Sequence, residues 1–341
     1  MKSIREAIAA LVSGEHLTQD EAQAAMAQIL EGGATPAQTG AFLTALQMKG
    51  EIAEEITGCA LAMRRLARPV RPQRTDLVDI SGTGGDQAGT FNISSVAAFV
   101  VAGAGVAVAK HGARSKSHRC GSADLLEALG VNLDLSPEQV AACIDTVGIG
   151  FLFAPHLHPT LEHASHARSE IGVPTVFDVL GPLTNPAAAP AQVVGVYSAA
   201  LTEPVAQALG ALGSRDAYVV AGADGMDEFS TTGVSKVSRL EGGLVATFAL
   251  DAVELGLPRA RLADLAGGSC EQNARIARGV LDGDRGPRRD IVLLNAAVTL
   301  LVAGRTSDLA EALGLAAAAI DSGQARKKLD DLVACSSEVA S

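Results

Sequence analysis

The sequence predicts an α/β protein in which a small helical N-terminal domain precedes a large α/β domain with a central, mostly parallel sheet. Three observations carry this. The first fifth of the 341 residues holds only helix-forming stretches; a basic, Pro-bearing link, "ARPVRPQR", follows; beyond it strand, glycine turn and helix recur. The expected division is 1–70 for the helical domain and 71–341 for the α/β domain.

Each element has its own reason. "LTQDEAQAAMAQILEG" opens on Thr18 with Glu21 three residues on, a capping box, and stops at Gly32 and Gly33. "ATPAQTGAFLTALQMKG" places Thr35 before Pro36 at the first helical position and ends near Gly50. "AEEITGCALAMRRLA" supplies a third helix. Three short helices need a partner to bury their apolar faces. After the link, "DLVDI" reads as a strand running into "SGTGGD", then a helix through "TFNISSVAAFVVAGAG". "VAVAKHG" is a second buried strand and "GSADLLEALG" a second helix. "AYVVAGADG" and "KVSRLEGGLVATFAL" add strands, and "GGSCEQNARIARGVL" and "DIVLLNAAVTLLVAG" add late helices.

Composition narrows the function. The net charge of -11 argues against general nucleic-acid binding, yet a local basic loop on an acidic protein still focuses a positive pocket. With 48% apolar residues, no Trp and 3% aromatics, the core is packed from Ala, Val, Leu and Ile. Cys59, Cys120, Cys143, Cys270 and Cys335 are scattered and lack any CxxC, which reads as reduced thiols in a cytoplasmic protein. The longest uncharged apolar run, Val96 to Ala109, falls short of the roughly 20 residues that span a membrane.

Chemistry concentrates in three places. "SGTGGDQAGTFNIS" lies where a strand meets a helix; its glycines admit a ligand close to the backbone, and the helix start offers N–H groups to an anion. It is neither a GxGxxG fingerprint nor a P-loop. "KHGARSKSHRCGSAD" brings Lys110, His111, Arg114, Lys116, His118 and Arg119 together without an acidic residue among them. Because it follows the next parallel strand, it shares one face of the sheet with the glycine turn, which favours a polyanion over a plain solvated loop. "GMDEFS" adds Asp227 and Glu228, a carboxylate pair able to hold Mg²⁺ beside a diphosphate. His156, His158, His163 and His166 lack a fixed ligand geometry and read as surface or packing residues. Cys120 has no evident base and does not read as a nucleophile.

In order along nearly the whole chain, "GTGGD", "TFNIS", "VAKHG", "GSADLLEALG", "FAPHLHP", "VFDVLGPLTNP", "DGMDE" and "RDIVLLNAA" resemble the anthranilate phosphoribosyltransferase family of tryptophan biosynthesis. The resemblance implies a nucleoside phosphorylase/phosphoribosyltransferase-like fold, with part of about 160–190 returning to the small domain and homodimers formed through it. It implies transfer of the phosphoribosyl group of phosphoribosyl pyrophosphate (PRPP) to the amine of anthranilate, with Mg²⁺. PRPP contacts would fall to Gly82, Gly85, Asp86, Thr90, Asn92, Ser94, Ser95, Lys110 and Ser122. Mg²⁺ would be held by Ser94, Asp227 and Glu228. The acceptor side would comprise Gly82, His111, the position of Ala113, and Arg168, whose planar fork suits a carboxylate. The basic run would then be the loop that closes over the diphosphate.

The chain departs from the family pattern at Ala113, where Asn is usual, at His118, Arg119 and Cys120, and at Asp178, again where Asn is usual. These departures bear on the acceptor and leave room for another aromatic amine. Pyrimidine nucleoside phosphorylases share the fold, but the pairing of "GTGGD" with "DGMDE" favours the diphosphate and magnesium branch. Fold relatives that bind nucleic acid without transferase activity are disfavoured by the acidic charge.

Overall fold

The computed structural model describes residues 2–86, 88–115 and 120–340. Four helices open the chain: α1 (Ile4–Val12), α2 (Gln19–Leu30), α3 (Pro36–Lys49) and α4 (Ala53–Leu66). The first was not among the three expected; it starts at a capping box in which Ser3 and Glu6 satisfy each other's backbone N–H. The Thr18 and Glu21 box and the Thr35–Pro36 start are present as expected.

The chain then runs β1 (Leu77–Gly82), α5 (Ile93–Gly103), β2 (Ala107–Gly112), α6 (Ser122–Leu129), α7 (Pro137–Val147) and β3 (Ile149–Phe153). Next come α8 (Ala154–Leu157), α9 (Glu162–Ile171), α10 (Val176–Leu183), β4 (Ala191–Gly195), α11 (Thr202–Ala211) and β5 (Asp216–Gly222). An antiparallel hairpin of β6 (Ser235–Glu241) and β7 (Leu244–Leu250) precedes α12 (Cys270–Leu281), α13 (Pro287–Val302), α14 (Leu309–Asp321) and α15 (Gln324–Glu338). The apolar run Val96 to Ala109 is thereby split between α5 and β2, and no described helix is long and apolar enough to cross a membrane.

The seven strands are ordered β3-β2-β1-β4-β5-β6-β7. The first five are parallel and the hairpin closes one edge antiparallel. From β1 the chain winds outward through β2 and β3, then returns to β4 on the other side. The strand order therefore reverses between β1 and β4, which opens a crevice at their carboxyl ends.

Helices cover both faces. One core packs α5, α6 and α12 to α15 against one face of the sheet. The second gathers α1 to α4 with α9, α10 and α11 and reaches Val194, Val219 and Ala221 on β4 and β5. The early helices thus find the partner their short length demanded, with Ala164 of α9 and Phe177 and Leu180 of α10 in their core. Cys143 on α7 and Cys335 on α15 lie with sulfurs 3.3 Å apart, as thiols.

Candidate active site

Glycine makes the crevice possible. A Cβ at Gly82, the last residue of β1, would overlap the Asp227 carboxylate, and one at Gly195, the last of β4, would overlap the Asp227 backbone carbonyl. Only bare backbone at both strand ends lets the loop after β5 fold over the switch point. Gly84 and Gly85 then turn with φ of +69° and +77°, and the Gly84 N–H donates to Asp227 Oδ2 at 2.7 Å. Thr83 ties the turn to β4: its N–H donates to the Gly195 carbonyl at 2.9 Å and its hydroxyl accepts from the Tyr197 N–H at 3.2 Å.

Glu228 is held at the start of α5, where the Ser94 N–H donates to its Oε1 at 3.0 Å. Burial pushes both the Asp227 and Glu228 carboxyls well above the ordinary carboxylate range; the charge of Asp86 adds to the effect on Asp227, and that of Asp227 to the effect on Glu228. Asp86 itself accepts from the Ala88 N–H at 3.3 Å. Two half-buried carboxylates backed chiefly by single backbone N–H groups are an excess of negative charge that fits a divalent cation. Among the described residues no three or more His, Cys, Asp or Glu side chains form a complete metal cage. Such a pair suits a cation whose shell is finished by phosphate oxygens and water.

Lys110 is the facing cation. Only 3% exposed, it donates from Nζ to the Ile80 carbonyl at 2.7 Å. Burial pulls its pKa down, while Asp79, Glu228 and Asp227 pull it back up. Asp79 was not anticipated from the sequence. Fully buried in β1, it accepts from the His111 N–H at 3.2 Å and from Asn185 Nδ2 at 2.8 Å, and burial, offset by Lys110, pushes its carboxyl up to about 6. Asn185 also donates to the Ala109 carbonyl at 2.8 Å, so one carboxylate and one amide lock β1, β2 and the turn after α10 together. The signal in the sequence was the second Asp of "DLVDI", set between the apolar Val78 and Ile80.

The His111 ring is buried; its Nδ1 lies 2.9 Å from the Gly181 carbonyl of α10 and its centroid 5.2 Å from that of His158. A carbonyl only accepts, so Nδ1 carries the hydrogen and Nε2 keeps the lone pair. Burial, then the neighbouring His158, drives the His111 pKa down to about 3, and burial drives His158 to about 4. Both rings are neutral at pH 7.

Other expected residues are placed as follows. Asn92, at the N-cap of α5, spends its side chain on a bridge, donating to the Cys120 carbonyl and accepting from Asn273, both at 2.9 Å. Thr90 pairs with Ala266 in an isolated antiparallel bridge. Ser95 is buried and, with Lys110, lines a small cavity. Ser122 begins α6 and donates to the Ala113 carbonyl at 3.3 Å. Asp124 gathers the neck of the basic loop by accepting from the Ser115 and Gly121 N–H groups at 3.0 and 2.9 Å. Arg114 is already matched, bonding Asp124 and Glu127. Lys116, His118 and Arg119 lie outside the described residues. Cys120 is buried and its thiol is pushed up by desolvation, opposite to what a nucleophile needs.

Arg168, in the last turn of α9, stacks its guanidinium 4.7 Å above the Phe177 ring and donates from Nη2 to Asp178 Oδ1 at 3.1 Å. Pro174, in the loop between α9 and α10, lies 3.9 Å from where a Cβ on Gly85 would stand. The glycine turn therefore borders the loop between α9 and α10.

A helical bundle feeding an α/β sheet, with glycine-lined carboxylates at the switch point, defines a class, and family comparison agrees. Residues 5–67 match the helical bundle domain of the glycosyl transferase family, and residues 74–326 match its a/b domain. An anthranilate phosphoribosyltransferase of Moorella thermoacetica is 57% identical over 97% of this chain and 98% of its own length. The crystal structure of anthranilate phosphoribosyltransferase from Thermus thermophilus superposes with a TM-score of 0.92 at 44% identity, covering 97% of this chain and 99% of that one. That of Saccharomyces cerevisiae in complex with PRPP and Mg superposes with a TM-score of 0.88 at 30% identity, covering 98% of both chains. The chain belongs to the anthranilate phosphoribosyltransferase family.

Proposed function

We propose that this chain transfers the 5-phosphoribosyl group of PRPP to the amine of anthranilate, releasing pyrophosphate, in tryptophan biosynthesis. The observation that carries the reading is the pairing of walls across one crevice. Asp227, Glu228 and Lys110 stand on the sheet side, and Pro174, in the loop that follows the helix of Arg168, stands across from Gly85.

The amine lone pair forms a bond to ribose C1 as the bond from C1 to the diphosphate oxygen breaks, its electrons leaving with pyrophosphate; the nitrogen then gives up a proton. Negative charge builds on the leaving group while the sugar becomes cationic, so catalysis rests on placed charge and positioning. Gly82, Gly85, Asp86, Thr90, Asn92, Ser94, Ser95, Lys110 and Ser122 are assigned to the PRPP side. Ser94, Asp227 and Glu228 would hold Mg²⁺, which when bound neutralises diphosphate charge. Lys110 adds a second cation from within the sheet. Arg168 would pair with the acceptor carboxylate, Gly82 and Ala113 would border the acceptor, and His111, neutral with a free Nε2 lone pair, is suited to accept or orient the amine hydrogen.

We assign residues 1–70, with about 160–190, to a small domain that forms a cytoplasmic homodimer. Val12 on α1 and Met48 on α3, 74% and 79% exposed, support that face as the contact. Size-exclusion chromatography with light scattering tests it: a Val12→Glu, Met48→Glu chain should elute as a monomer.

The reaction is tested by a fluorescence assay with PRPP, Mg²⁺ and anthranilate on this chain and on its Ala113→Asn variant. Turnover by the unsubstituted chain is expected. Turnover that appears only in the variant would move the acceptor to another aromatic amine.

A further inference from the structure

The Arg168 guanidinium is not an open anion trap. Asp178 already occupies one of its edges at 3.1 Å, and the pair is mostly withdrawn from water, with side chains 13% and 28% exposed. Asp178 is itself anchored: its other oxygen accepts from the Thr175 N–H at 2.9 Å at the start of α10. Phe177, the residue before it, supplies the ring beneath the guanidinium. Arg168 is thus clamped from below by a ring and from one side by a fixed carboxylate, bonded through Nη2. One further titratable group senses Asp178, and it senses Glu51 as well. The Tyr197 phenol is pushed up to about 12 by burial and then by the charges of Glu51 and Asp178, and Glu51 is a carboxyl held above its ordinary range by burial. Among the described residues no cation besides Arg168 pairs with Asp178, so the local positive charge is cancelled before any acceptor arrives.

We propose that Asp178 is a positioning residue that sets acceptor selectivity: it orients Arg168 toward the acceptor carboxylate while its own charge weakens the hold on anionic acceptors. This rests on the reading of Arg168 as the group that receives that carboxylate. Planar guanidinium geometry allows both roles, since an arginine has five N–H donors and can serve two carboxylates on different edges. The second carboxylate then enters beside the first, and like charges sharing one cation repel.

Steady-state kinetics on the full chain with Mg²⁺ and saturating PRPP test this, using anthranilate and the neutral 2-aminobenzamide as acceptors. Asp178→Asn keeps the shape and one acceptor oxygen, for the Thr175 N–H or for Arg168, but removes the charge. It should raise the ratio of kcat/KM for anthranilate over 2-aminobenzamide about three- to tenfold, with the gain carried by a lower KM for anthranilate. Equal effects on both acceptors, or a higher KM for anthranilate alone, would overturn the proposal and leave Asp178 a helix cap. Arg168→Gln provides the control, raising KM for anthranilate more than for the amide; thermal melts of both variants separate selectivity from unfolding. Absence of anthranilate turnover by the unsubstituted chain would strike the reading of the reaction and this proposal with it, whereas turnover with an unchanged ratio would strike only the role of Asp178.

Discussion

The Gly84 N–H donates to Asp227 Oδ2 at 2.7 Å across 143 residues of chain, and the carboxylate it holds fills the space that a side chain on Gly82 would occupy. The glycine turn and the acidic pair are therefore one structure. Gly82→Ala should displace Asp227 and lower kcat/KM for PRPP roughly tenfold or more. Kinetics and a thermal melt check it: the activity loss should far exceed the loss of stability, because the added methyl meets a carboxylate at the crevice floor and not the packed core.

The half-buried pair of Asp227 and Glu228 should make the metal-free chain less stable as pH rises. Their folded pKa values lie above the unfolded ones, so the folded state binds more protons; stability is full below the unfolded carboxylate range and is lost as pH climbs through the raised values. Melting in EDTA should show a falling Tm from about pH 7 to 8.5, and Mg²⁺ should restore it most at the alkaline end. Asp227→Asn should raise the metal-free Tm, by removing a repelling charge, and abolish the Mg²⁺ shift.

Asp79→Ala should cost about 3 kcal/mol of unfolding free energy, since it strands a buried Lys110 and removes the acceptor of Asn185 and the His111 N–H. Asp79→Asn should cost less, keeping shape and one acceptor. Urea unfolding compares them; equal costs would show that packing and not charge matters there.

His111 and His158 should stay neutral well into acid. Their folded pKa values of about 3 and 4 lie below the ordinary 6.5, so the stability they contribute is complete above 6.5 and is lost as pH falls toward those values. Asp79, raised to about 6, works in the opposite direction over part of that range, so a direct readout is preferable. Imidazole NMR signals of the two rings should not titrate between about pH 8 and 5. His158→Phe should make the acid loss of unfolding free energy shallower.

Much of this was legible along the chain because its signals are local. A capping box spans four residues, a Pro at a helix start two, and a glycine turn between an apolar run and a helix about ten; each reports its own backbone whatever surrounds it. The first helix carries the same local signal, Ser3 with Glu6 three residues on, although it was not among the three expected. The crevice was legible to the extent that parallel strands expose their carboxyl-end loops on one side, which joins the glycine turn, the basic run and the acidic pair from sequence order alone. Burial is less legible: Ser95 is 1% exposed while its neighbour Ser94 is half-buried, because successive helical residues point about 100° apart.

The sequence by itself determined the helical start, the strand and helix alternation, the glycines at the strand ends and the family to which the chain belongs. These follow from short-range sterics and hydrogen bonding, which neighbouring residues dictate. Only the tertiary structure decided that Arg114 is spent on Asp124 and Glu127, that Asp79 stands behind Lys110, and that Asp178 grips Arg168. Charge acts through space over several ångströms and is sharpened by burial, so which carboxylate answers which cation depends on what the fold brings together and how much water it leaves between them.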